Sequence, residues 1–478
     1  MEHVVFKYFE EISTIPRGSG NCQAISDYLV DFAKEHGLSY IQDDALNVII
    51  KKPASAGYEK CPTVILQGHM DMVCEKKTDS NHDFFTDGLE LMTDEDYLFA
   101  NGTTLGGDDG IAIAYSLAIL ADDSILHPAL EVIITTDEEI GLLGATALDA
   151  SSLNGTYMIN IDSEEEDVLL ASCAGGLRSD CRIPLSYEKM DGKKLTITVK
   201  GLVGGHSGSE IDKNRMNANL LLGRLLYELR KFSFRVCSMK GGLMDNSIPR
   251  ESVAQIITSQ EDAYKIINEI KFLNEKYRNE CRINEPDLTI TVNQGEEKTY
   301  SVMTNESYEK VLFFLLTTPN GIQQMSSNIP GLVESSLNLG IFETDDAKAK
   351  MSYSVRSSLS SYKMFMSDKL ELLTKNLEGE YATSGDYPGW EFKKESKLRS
   401  IYANAYKNVV NKDIKVEAIH AGLECGILAE KLGDIDIIAI GPNMKDIHTT
   451  EERLSISSTI RVYDVILETL KDFSTVTK

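Results

Sequence analysis

His69 and Asp71 stand two positions apart at the end of an apolar run, VILQGHMD at 64–71. On an extended backbone, residues two apart project from the same face. A metal-ligating imidazole usually donates its second ring N–H to a carboxylate, and this pair supplies both partners. Alone, such a pair is more often a plain surface turn after a strand. The prediction of a metal site therefore depends on what the rest of the chain brings to the same place.

Other acids and one histidine stand at further strand ends or in loops. They are Asp108 in NGTTLGGDDG, Glu138 and Glu139 in TTDEEIG, Asp162 after TYMINI and His448 in GPNMKDIH. Carboxylates gathered in one crevice repel one another, and burying them without cations raises their pKa values. Two divalent metal ions would remove this conflict. Mixed imidazole and carboxylate ligands suit zinc, with cobalt or manganese as alternatives, better than magnesium.

Short apolar strands alternating with helices must position these residues. Strand-like segments are predicted at 46–51, 63–67, 130–136 and 156–161, and helices at 3–14, at 22–36 and after GGDDG. This alternation is typical of an α/β fold with a mostly parallel sheet, in which ligands bind beyond the carboxyl ends of the strands. The candidate ligands fall at those ends.

Near residue 187 the α/β pattern of short apolar strands and helices gives way to an alternating strand pattern and Gly-rich segments. The α/β pattern returns near residue 385. The pattern predicts a catalytic domain made of residues 1–186 and 385–478, interrupted by an inserted α+β domain at 187–384. From residue 287 the order of strands and helices within the insertion recurs, so we predict two βαββαβ-like halves and an internal duplication. The halves share pattern and not residues.

Composition excludes several classes of protein. The chain has 478 residues and a formal charge of −26, which repels nucleic acid and anionic membranes. No apolar run approaches the roughly 20 residues of a membrane helix, and acids interrupt the N-terminal segment where a signal peptide would be apolar. The eight cysteines are scattered without metal-site spacing. They are typical of reduced thiols, and we expect a cytoplasmic protein.

Nine motifs make the chain resemble the co-catalytic di-zinc metallopeptidases that include aminoacylase, carboxypeptidase G and peptidase T, and in particular their dipeptidase branch. These motifs run through nearly the whole chain: QGHMDMV at 67–73, NGTTLGGDDGI at 101–111, TTDEEIGLLGA at 135–145, NIDSEEE at 160–166, GHSG at 205–208, NSIPRE at 246–251, YPGW at 387–390, HAGLECG at 420–426 and IGPNMKDIH at 440–448.

The resemblance implies a ligand set for two metal ions. Asp108 would bridge the two ions. His69 and Asp162 would complete one site, and Glu139 and His448 the other. The implied fold is a catalytic domain with a lid, and the implied assembly is a homodimer formed through the lid.

The resemblance also implies catalytic roles for three residues. Asp71 would orient His69. Glu138 would be the general base that takes a proton from a metal-bridging water and passes it to the leaving amine. His206, in GHSG, would help to stabilise the tetrahedral oxyanion. Without the resemblance, a lone histidine in a Gly-rich loop favours no function.

Five residues are candidates for binding substrate. Arg356 matches a peptide's C-terminal carboxylate because a guanidinium can bind a carboxylate through two hydrogen bonds, although a surface ion pair is the alternative. Asn246, His420, Gly422 and Glu424 are predicted to line the substrate pocket. For His420 a structural role is equally compatible with the sequence.

The implied activity is hydrolysis of unblocked dipeptides, with Xaa-His dipeptides among the substrates. Two alternatives use the same chemistry: an amidase or deacylase acting on N-acyl amino acids, and an aminopeptidase acting on longer peptides. A non-catalytic scaffold that binds metal or peptide is a more distant alternative. Its sequence would be expected to lack Glu138 or one of the ligands.

Overall fold

A computed structural model describes residues 3–476. The described chain divides into two compact units. The first unit takes in the chain up to Cys173, Trp390–Ala418 and the chain from Leu423 onwards; the second consists of Ala174–Gly389 and Ile419–Gly422. No helix within residues 3–476 is both long and apolar enough to cross a membrane.

Eleven α-helices lie within residues 3–476, and the three predicted at 3–14, at 22–36 and after GGDDG correspond to the first three. They are α1 Val4–Ser13, α2 Gln23–Glu35, α3 Gly107–Ala121, α4 Leu143–Ala147, α5 Ala218–Leu229, α6 Gln260–Glu280, α7 Asn305–Thr317, α8 Ser360–Asn376, α9 Lys397–Val410, α10 Glu424–Leu432 and α11 Ile456–Asp472.

The strands are more numerous than the sequence pattern predicts. They are β1 Ser39–Gln42, β2 Val48–Lys52, β3 Val64–His69, β4 Leu91–Asp94, β5 Tyr97–Ala100, β6 Leu130–Thr135, β7 Tyr157–Asn160, β8 Val168–Cys173, β9 Gly175–Pro184, β10 Tyr187–Lys200, β11 Gly205–His206, β12 Phe234–Gly241, β13 Ser247–Ile248, β14 Ser252–Thr258, β15 Thr289–Met303, β16 Gly321–Met325, β17 Val333–Thr344, β18 Lys348–Ser357, β19 Glu380–Tyr387, β20 Lys415–Ile419, β21 Asp436–Ala439, β22 Met444–Lys445 and β23 Arg453–Ser455.

An eight-stranded sheet in the order β1-β2-β6-β3-β7-β21-β8-β20 forms the centre of the first unit. Its four central strands, β6, β3, β7 and β21, are parallel to one another. Strands β3 and β6 are buried along their whole length, which explains their continuous apolar sequences. The prediction of an α/β fold is confirmed. The sheet is mixed and not mostly parallel, because β1, β2 and β8 pair antiparallel and parallel pairing is confined to the centre, where the carboxyl ends of β3, β6 and β7 share one edge.

Helix α3 supplies much of the first unit's core. Every residue from Gly110 to Leu120 is buried, as expected from a helix that is apolar nearly all round. Its first turn is irregular, because Asp108 has extended backbone angles (φ −82°, ψ 105°). The regular helix therefore begins just after the acidic pair Asp108 and Asp109.

The second unit contains a fully antiparallel sheet in the order β15-β10-β14-β12-β17-β18-β9-β19, with β16 paired to β17. Its apolar face packs against helices, with Leu222, Ile266 and Leu312 buried in one core. The α+β character predicted for the insertion is observed. The predicted duplication stays a prediction.

The units change at different residues from the predicted domain boundaries of 186/187 and 384/385. The second unit begins at Ala174, because β9 pairs along its length with β18 and β19. It extends to Gly389, and it also includes Ile419–Gly422. No local sequence signal reports such long-range strand pairing.

Candidate metal centre

Two histidines face one carboxylate in the first unit. Asp108 Oδ1 lies 3.1 Å from His69 Nε2, and Asp108 Oδ2 lies 3.0 Å from His448 Nε2. Asp162 Oδ1 lies 3.7 Å from the same nitrogen of His69, and Glu139 Oε1 lies 3.0 Å from the same nitrogen of His448. The five side chains predicted as metal ligands are therefore gathered in one cluster.

The cluster's elements come together because the parallel strands end at one edge. His69 is the last residue of β3, Glu139 follows β6, and Asp162 follows β7. Asp108 lies in the irregular first turn of α3, and His448 lies in the loop between β22 and β23 with a left-handed backbone (φ 61°). Side chains more than 300 residues apart in sequence thus meet, Asp108 and His448 being 340 apart.

Asp71 holds both His69 and the acidic turn after β6. Its Oδ1 lies 3.4 Å from His69 Nδ1, and its main-chain oxygen lies 3.1 Å from the same nitrogen. The carboxylate also accepts hydrogen bonds from the amides of Glu138 (3.0 Å) and Glu139 (3.3 Å) and from the Ser19 hydroxyl (2.8 Å). With its hydrogen on Nδ1, His69 keeps Nε2 free to bind a metal ion.

The loop that presents Asp108 is held by a residue that the sequence analysis missed. Glu452 is 3% exposed, and its carboxylate accepts hydrogen bonds from the amides of Leu105 (2.7 Å), Gly106 (3.0 Å) and Gly107 (2.8 Å). Gly106 adopts a left-handed conformation (φ 64°), which favours glycine. No local sequence pattern marks Glu452, because its partners lie far away along the chain.

Removing the Glu452 carboxylate should destabilise the protein. We expect Glu452→Ala to lower the free energy of unfolding by roughly 3 kcal/mol or more, since each buried amide left without an acceptor costs roughly 1–3 kcal/mol. Urea unfolding of the metal-free protein, followed by circular dichroism, measures this. Glu451→Ala is the matched control: Glu451 is exposed and pairs with Lys77, so the change should stay below about 1 kcal/mol. Equal effects from the two substitutions would contradict the proposed support.

Arg17 joins the same loop to the end of β3. It is 2% exposed, and its guanidinium donates to the main-chain oxygens of Met70 (3.1 Å), Asp71 (3.4 Å) and Gly106 (2.5 Å). It stands in the turn between α1 and α2, a segment in which no sequence pattern indicates a role at the site. A buried arginine beside the acids also offsets part of their charge.

The electrostatics of the metal-free cluster favour added cations. Burial, together with Asp162, Glu424 and Glu139, raises the pKa of Glu138 to about 9, although His69 acts in the opposite sense. Burial and neighbouring acids raise the pKa of Asp162 to about 6. The nearby carboxylates of Asp108 and Glu139 raise the pKa of His448 to about 10. Without metal, the site must therefore take up protons to balance its charge.

The donor set and its spacing fit metal ions. Zn–N and Zn–O bonds of 2.0–2.2 Å at tetrahedral angles place neighbouring ligand atoms about 3.3 Å apart. The four pairs described above are 3.0–3.7 Å apart, which brackets that value. Glu139 Oε1 is buried without a hydrogen-bond partner, although an imidazole nitrogen is close. That geometry is typical of two ligands directed at a shared ion.

Other nearby acids belong to overlapping groups of possible ligands. Donor atoms of His69, Asp109 and Asp162 lie within 4.8 Å of one another, as do those of His69, Glu138 and Glu139. Asp109 is fully buried, and its Oδ2 accepts the His69 amide at 3.2 Å. Asp109 and Glu138 therefore lie within ligand distance of His69, beside the five predicted ligands.

Glu424, predicted to line the substrate pocket, lies in the first unit and has no exposed surface. Its Oε2 accepts hydrogen bonds from Gln67 Nε2 (2.5 Å) and Thr135 Oγ1 (2.6 Å). Its carboxylate thus faces β3 and β6 from inside the core.

The second unit gathers His206, Arg356 and His420 around one glycine. A Cβ added to Gly208 would lie 3.0 Å from His206 Cε1, 3.2 Å from Arg356 Nε and 2.6 Å from the His420 carbonyl oxygen. Arg356 Nη1 donates to the Tyr387 hydroxyl at 3.2 Å, while its buried Nε has no partner. An incompletely paired buried guanidinium is suited to binding an anion.

Burial and the charge of Arg356 lower the pKa of both histidines in this cluster, that of His420 to about 3. Both are therefore neutral at pH 7. His420 is 7% exposed and its Nε2 is 2.7 Å from Ser336 Oγ, as expected for a structural histidine. His206 is less buried, and its Nδ1 accepts the Ser209 amide at 3.2 Å.

The remaining two predicted substrate residues contribute differently. Asn246 has an exposed side chain, and its main-chain oxygen accepts the Ser207 amide at 2.8 Å. Gly422 faces Tyr387, where an added Cβ would lie 2.9 Å from the ring. Both lie in the second unit, as do Arg356, His206 and His420.

The fold and the gathered acids and imidazoles define a metal-dependent hydrolase. Residues 65–472 match the model of peptidase family M20/M25/M40, and the chain belongs to this family of metallopeptidases.

The chain is similar over nearly its whole length to named peptidases. It is 34% identical to the cytosol non-specific dipeptidase of Escherichia coli, over 97% of this chain and 96% of that protein. The crystal structure of the aminoacylhistidine dipeptidase from Vibrio alginolyticus superimposes with a TM-score of 0.92 at 32% identity, covering 98% of this chain and 96% of the other. The aminopeptidase PepT from Bacillus cereus shares the fold (TM-score 0.58, 14% identity, covering 99% of this chain and 98% of that chain).

Proposed function

We propose that the protein is a metal-dependent dipeptidase that hydrolyses unblocked dipeptides, Xaa-His dipeptides among them. The observation that carries the proposal is the Asp108 carboxylate, whose two oxygens lie 3.1 Å and 3.0 Å from two different imidazoles. The similarity to two dipeptidases over nearly the whole chain supports the substrate class.

The first unit would hold two divalent ions, zinc in the first instance, with cobalt or manganese as alternatives. Asp108 would be shared between the ions, with His69 and Asp162 on one side and Glu139 and His448 on the other. When bound, such ions polarise a carbonyl group and lower the pKa of water from about 15.7 towards 7.

Glu138 is proposed as the general base. Its amide is held by Asp71, and it lies beside the ligands without serving as one in this assignment. A carboxyl group whose pKa is raised by burial lies closer to the operating pH, which favours proton transfer in both directions. Glu138 would take a proton from the attacking water and deliver it to the leaving amine.

The second unit is proposed to recognise the substrate. Arg356 has an unpaired buried N–H, which supports binding of a peptide's C-terminal carboxylate. His206 is neutral at pH 7, because burial and Arg356 lower its pKa, so it can donate one hydrogen bond to an oxyanion without carrying a charge. Asn246, His420 and Gly422 would shape the pocket around these two.

The test is a substrate panel for the purified protein loaded separately with zinc, cobalt and manganese. We expect release of free amino acids from unblocked dipeptides, with much lower rates on N-acetyl amino acids and tripeptides. Preference for acylated amino acids would indicate a deacylase, and preference for tripeptides an aminopeptidase. No turnover of any substrate with any of these metals would contradict the proposal.

Asp71→Asn should reduce activity more than metal content. The substitution keeps the size of the side chain but weakens its hold on His69 Nδ1, and changes of this kind typically cost about 10–100-fold. We expect kcat to fall in that range while bound zinc stays near the wild-type level. Ser19→Ala is the matched control, since it removes one hydrogen bond to Asp71 and leaves the charge in place. Loss of zinc in parallel with activity would instead make Asp71 a determinant of metal binding.

The protein is also proposed to be a cytosolic homodimer. The Escherichia coli relative is named a cytosol dipeptidase, which supports the location. Dimerisation through the second unit rests on the family resemblance. Light scattering after size-exclusion chromatography tests it, and a mass near 53.0 kDa, that of one chain, would contradict it.

A further inference from the structure

Four polar side chains with no exposed surface occupy the core of the first unit. Gln67 on β3, Thr135 on β6, Asn160 on β7 and Glu424 at the start of α10 are each 0% exposed. Parallel strands buried on both faces are normally Val, Ile and Leu throughout, because an unpaired polar group in the core costs free energy. We call these four residues the polar layer.

The polar layer is a connected set of hydrogen bonds. Asn160 Nδ2 donates to Gln67 Oε1 at 2.7 Å, and Gln67 Nε2 donates to Glu424 Oε2 at 2.5 Å. Thr135 Oγ1 donates to the same Glu424 oxygen at 2.6 Å. Glu424 Oε1 has no hydrogen-bond partner, so the carboxylate is held through Oε2. The carboxylate thereby bonds to side chains of β3 and β6 directly, and β7 joins them through Gln67.

Each strand that contributes to the polar layer also leads into the metal centre. Gln67 precedes His69 by two residues, and Asn160 precedes Asp162 by two residues. Thr135 is the last residue of β6 and leads into the turn with Glu138. Gln67 and His69 project from the same face of β3 because side chains two apart on a strand do so. The polar layer therefore lies two residues before the proposed metal ligands along β3 and β7.

We propose that the polar layer fixes the spacing of the three strand ends, and that Glu424 is its positioning residue. The proposal rests on the proposed function of the neighbouring metal centre. The three hydrogen bonds of this buried network hold its members in one arrangement, because a shift of any strand would leave further buried donors or acceptors unpaired, in addition to Glu424 Oε1 and Asn160 Oδ1. The distances among His69, Glu139 and Asp162 are then set by Glu424, which contacts no substrate.

A charge swap tests this role. Gln67→Glu alone sets two carboxylates against each other where the amide now donates at 2.5 Å. Adding Glu424→Gln restores a donor: an amide nitrogen in the place of Oε2 can donate to the carboxylate at position 67 and to Thr135 Oγ1. The Thr135 hydroxyl can then donate to the Gly68 carbonyl oxygen, 3.2 Å away, while Asn160 keeps its bond. We expect the single variant to bind Co²⁺ about 100-fold more weakly and to lose kcat by a similar factor. The double variant should return to within about 10-fold of wild type in both.

A milder pair of variants covers the case in which Gln67→Glu does not fold. Thr135→Val removes only the hydroxyl that Glu424 accepts, and Thr135→Ser keeps it. We expect Thr135→Val to weaken Co²⁺ binding about 10-fold, to change the visible absorption spectrum of the bound cobalt and to lower kcat with KM unchanged. Thr135→Ser should match wild type in each measurement.

Two results would overturn the proposal. The first is a folded Gln67→Glu variant whose Co²⁺ binding and kcat are not restored by Glu424→Gln, or are not impaired to begin with. The second is a Thr135→Val variant indistinguishable from Thr135→Ser. Cobalt affinity and absorption are measured without substrate. A wild-type protein that binds cobalt but hydrolyses no dipeptide would therefore refute the proposed function and still leave the role of the polar layer decided by these variants.

Discussion

Replacing Glu138 with glutamine should lower kcat by at least about 10³-fold while leaving two metal ions bound. General acid–base catalysis contributes typically 10²–10⁴-fold, and an amide can neither take the proton from water nor return it to the leaving amine. Glutamine keeps the size of the side chain, and its main-chain amide can still donate to Asp71. The proposed ligands are therefore undisturbed. The measurements are kcat on a dipeptide and zinc content by mass spectrometry.

The comparison that makes this result informative is Glu139→Gln. Glu139 Oε1 lies 3.0 Å from His448 Nε2, so this change should remove the metal ion proposed at that side. Glu165→Gln, in an exposed acid of the loop after β7, removes an equal charge and should leave both activity and zinc unchanged. If Glu138→Gln loses zinc and Glu139→Gln keeps it, the assignments of base and ligand must be exchanged.

Replacing Asp108 with asparagine should abolish both metal binding and activity. The side chain faces two imidazoles with its two oxygens, and an amide offers only one oxygen as a ligand. Losing one shared ligand should weaken both ions together, by at least about 100-fold in affinity. We expect fewer than two zinc ions per chain after dialysis and no turnover above background.

Asp109→Asn is the matched comparison for Asp108→Asn. Burial and the charge of Asp162 raise the pKa of Asp109 well above its usual value, which favours the uncharged carboxyl group in the metal-free protein. An asparagine can still accept the His69 amide, as Asp109 does now. We expect nearly normal zinc content and activity. Zinc loss from Asp109→Asn alone would make Asp109 the shared ligand.

The sequence was most informative where local pattern and chemistry coincide. His69, Glu139 and Asp162 each follow a short apolar strand, and strands of a parallel sheet deliver their ends to one edge. The family resemblance then divided the residues among roles. Those roles stay predictions, whereas the meeting of the five proposed ligands is a property of the structure.

The residues that hold the cluster in place could not be found in this way. Glu452 bonds to amides more than 340 residues earlier, and Gln67 bonds to Glu424 at a separation of 357 residues. A buried acid that accepts backbone N–H groups has no characteristic spacing. Glu424 shows the consequence, because its motif HAGLECG predicted a pocket residue, whereas its side chain is enclosed in the core.

By itself, the sequence determined the class of fold and the family, and it supplied the candidate metal ligands. Apolar periodicity and the residue types at strand ends are local properties, so they can be recognised in the amino-acid sequence alone. Only the tertiary structure decided which strands pair, where the two units divide, and how far Asp108 lies from His69 and His448. Strand pairing, the division into units and these distances all depend on contacts between segments that are distant in sequence. The geometry of those contacts is fixed only when the whole core packs.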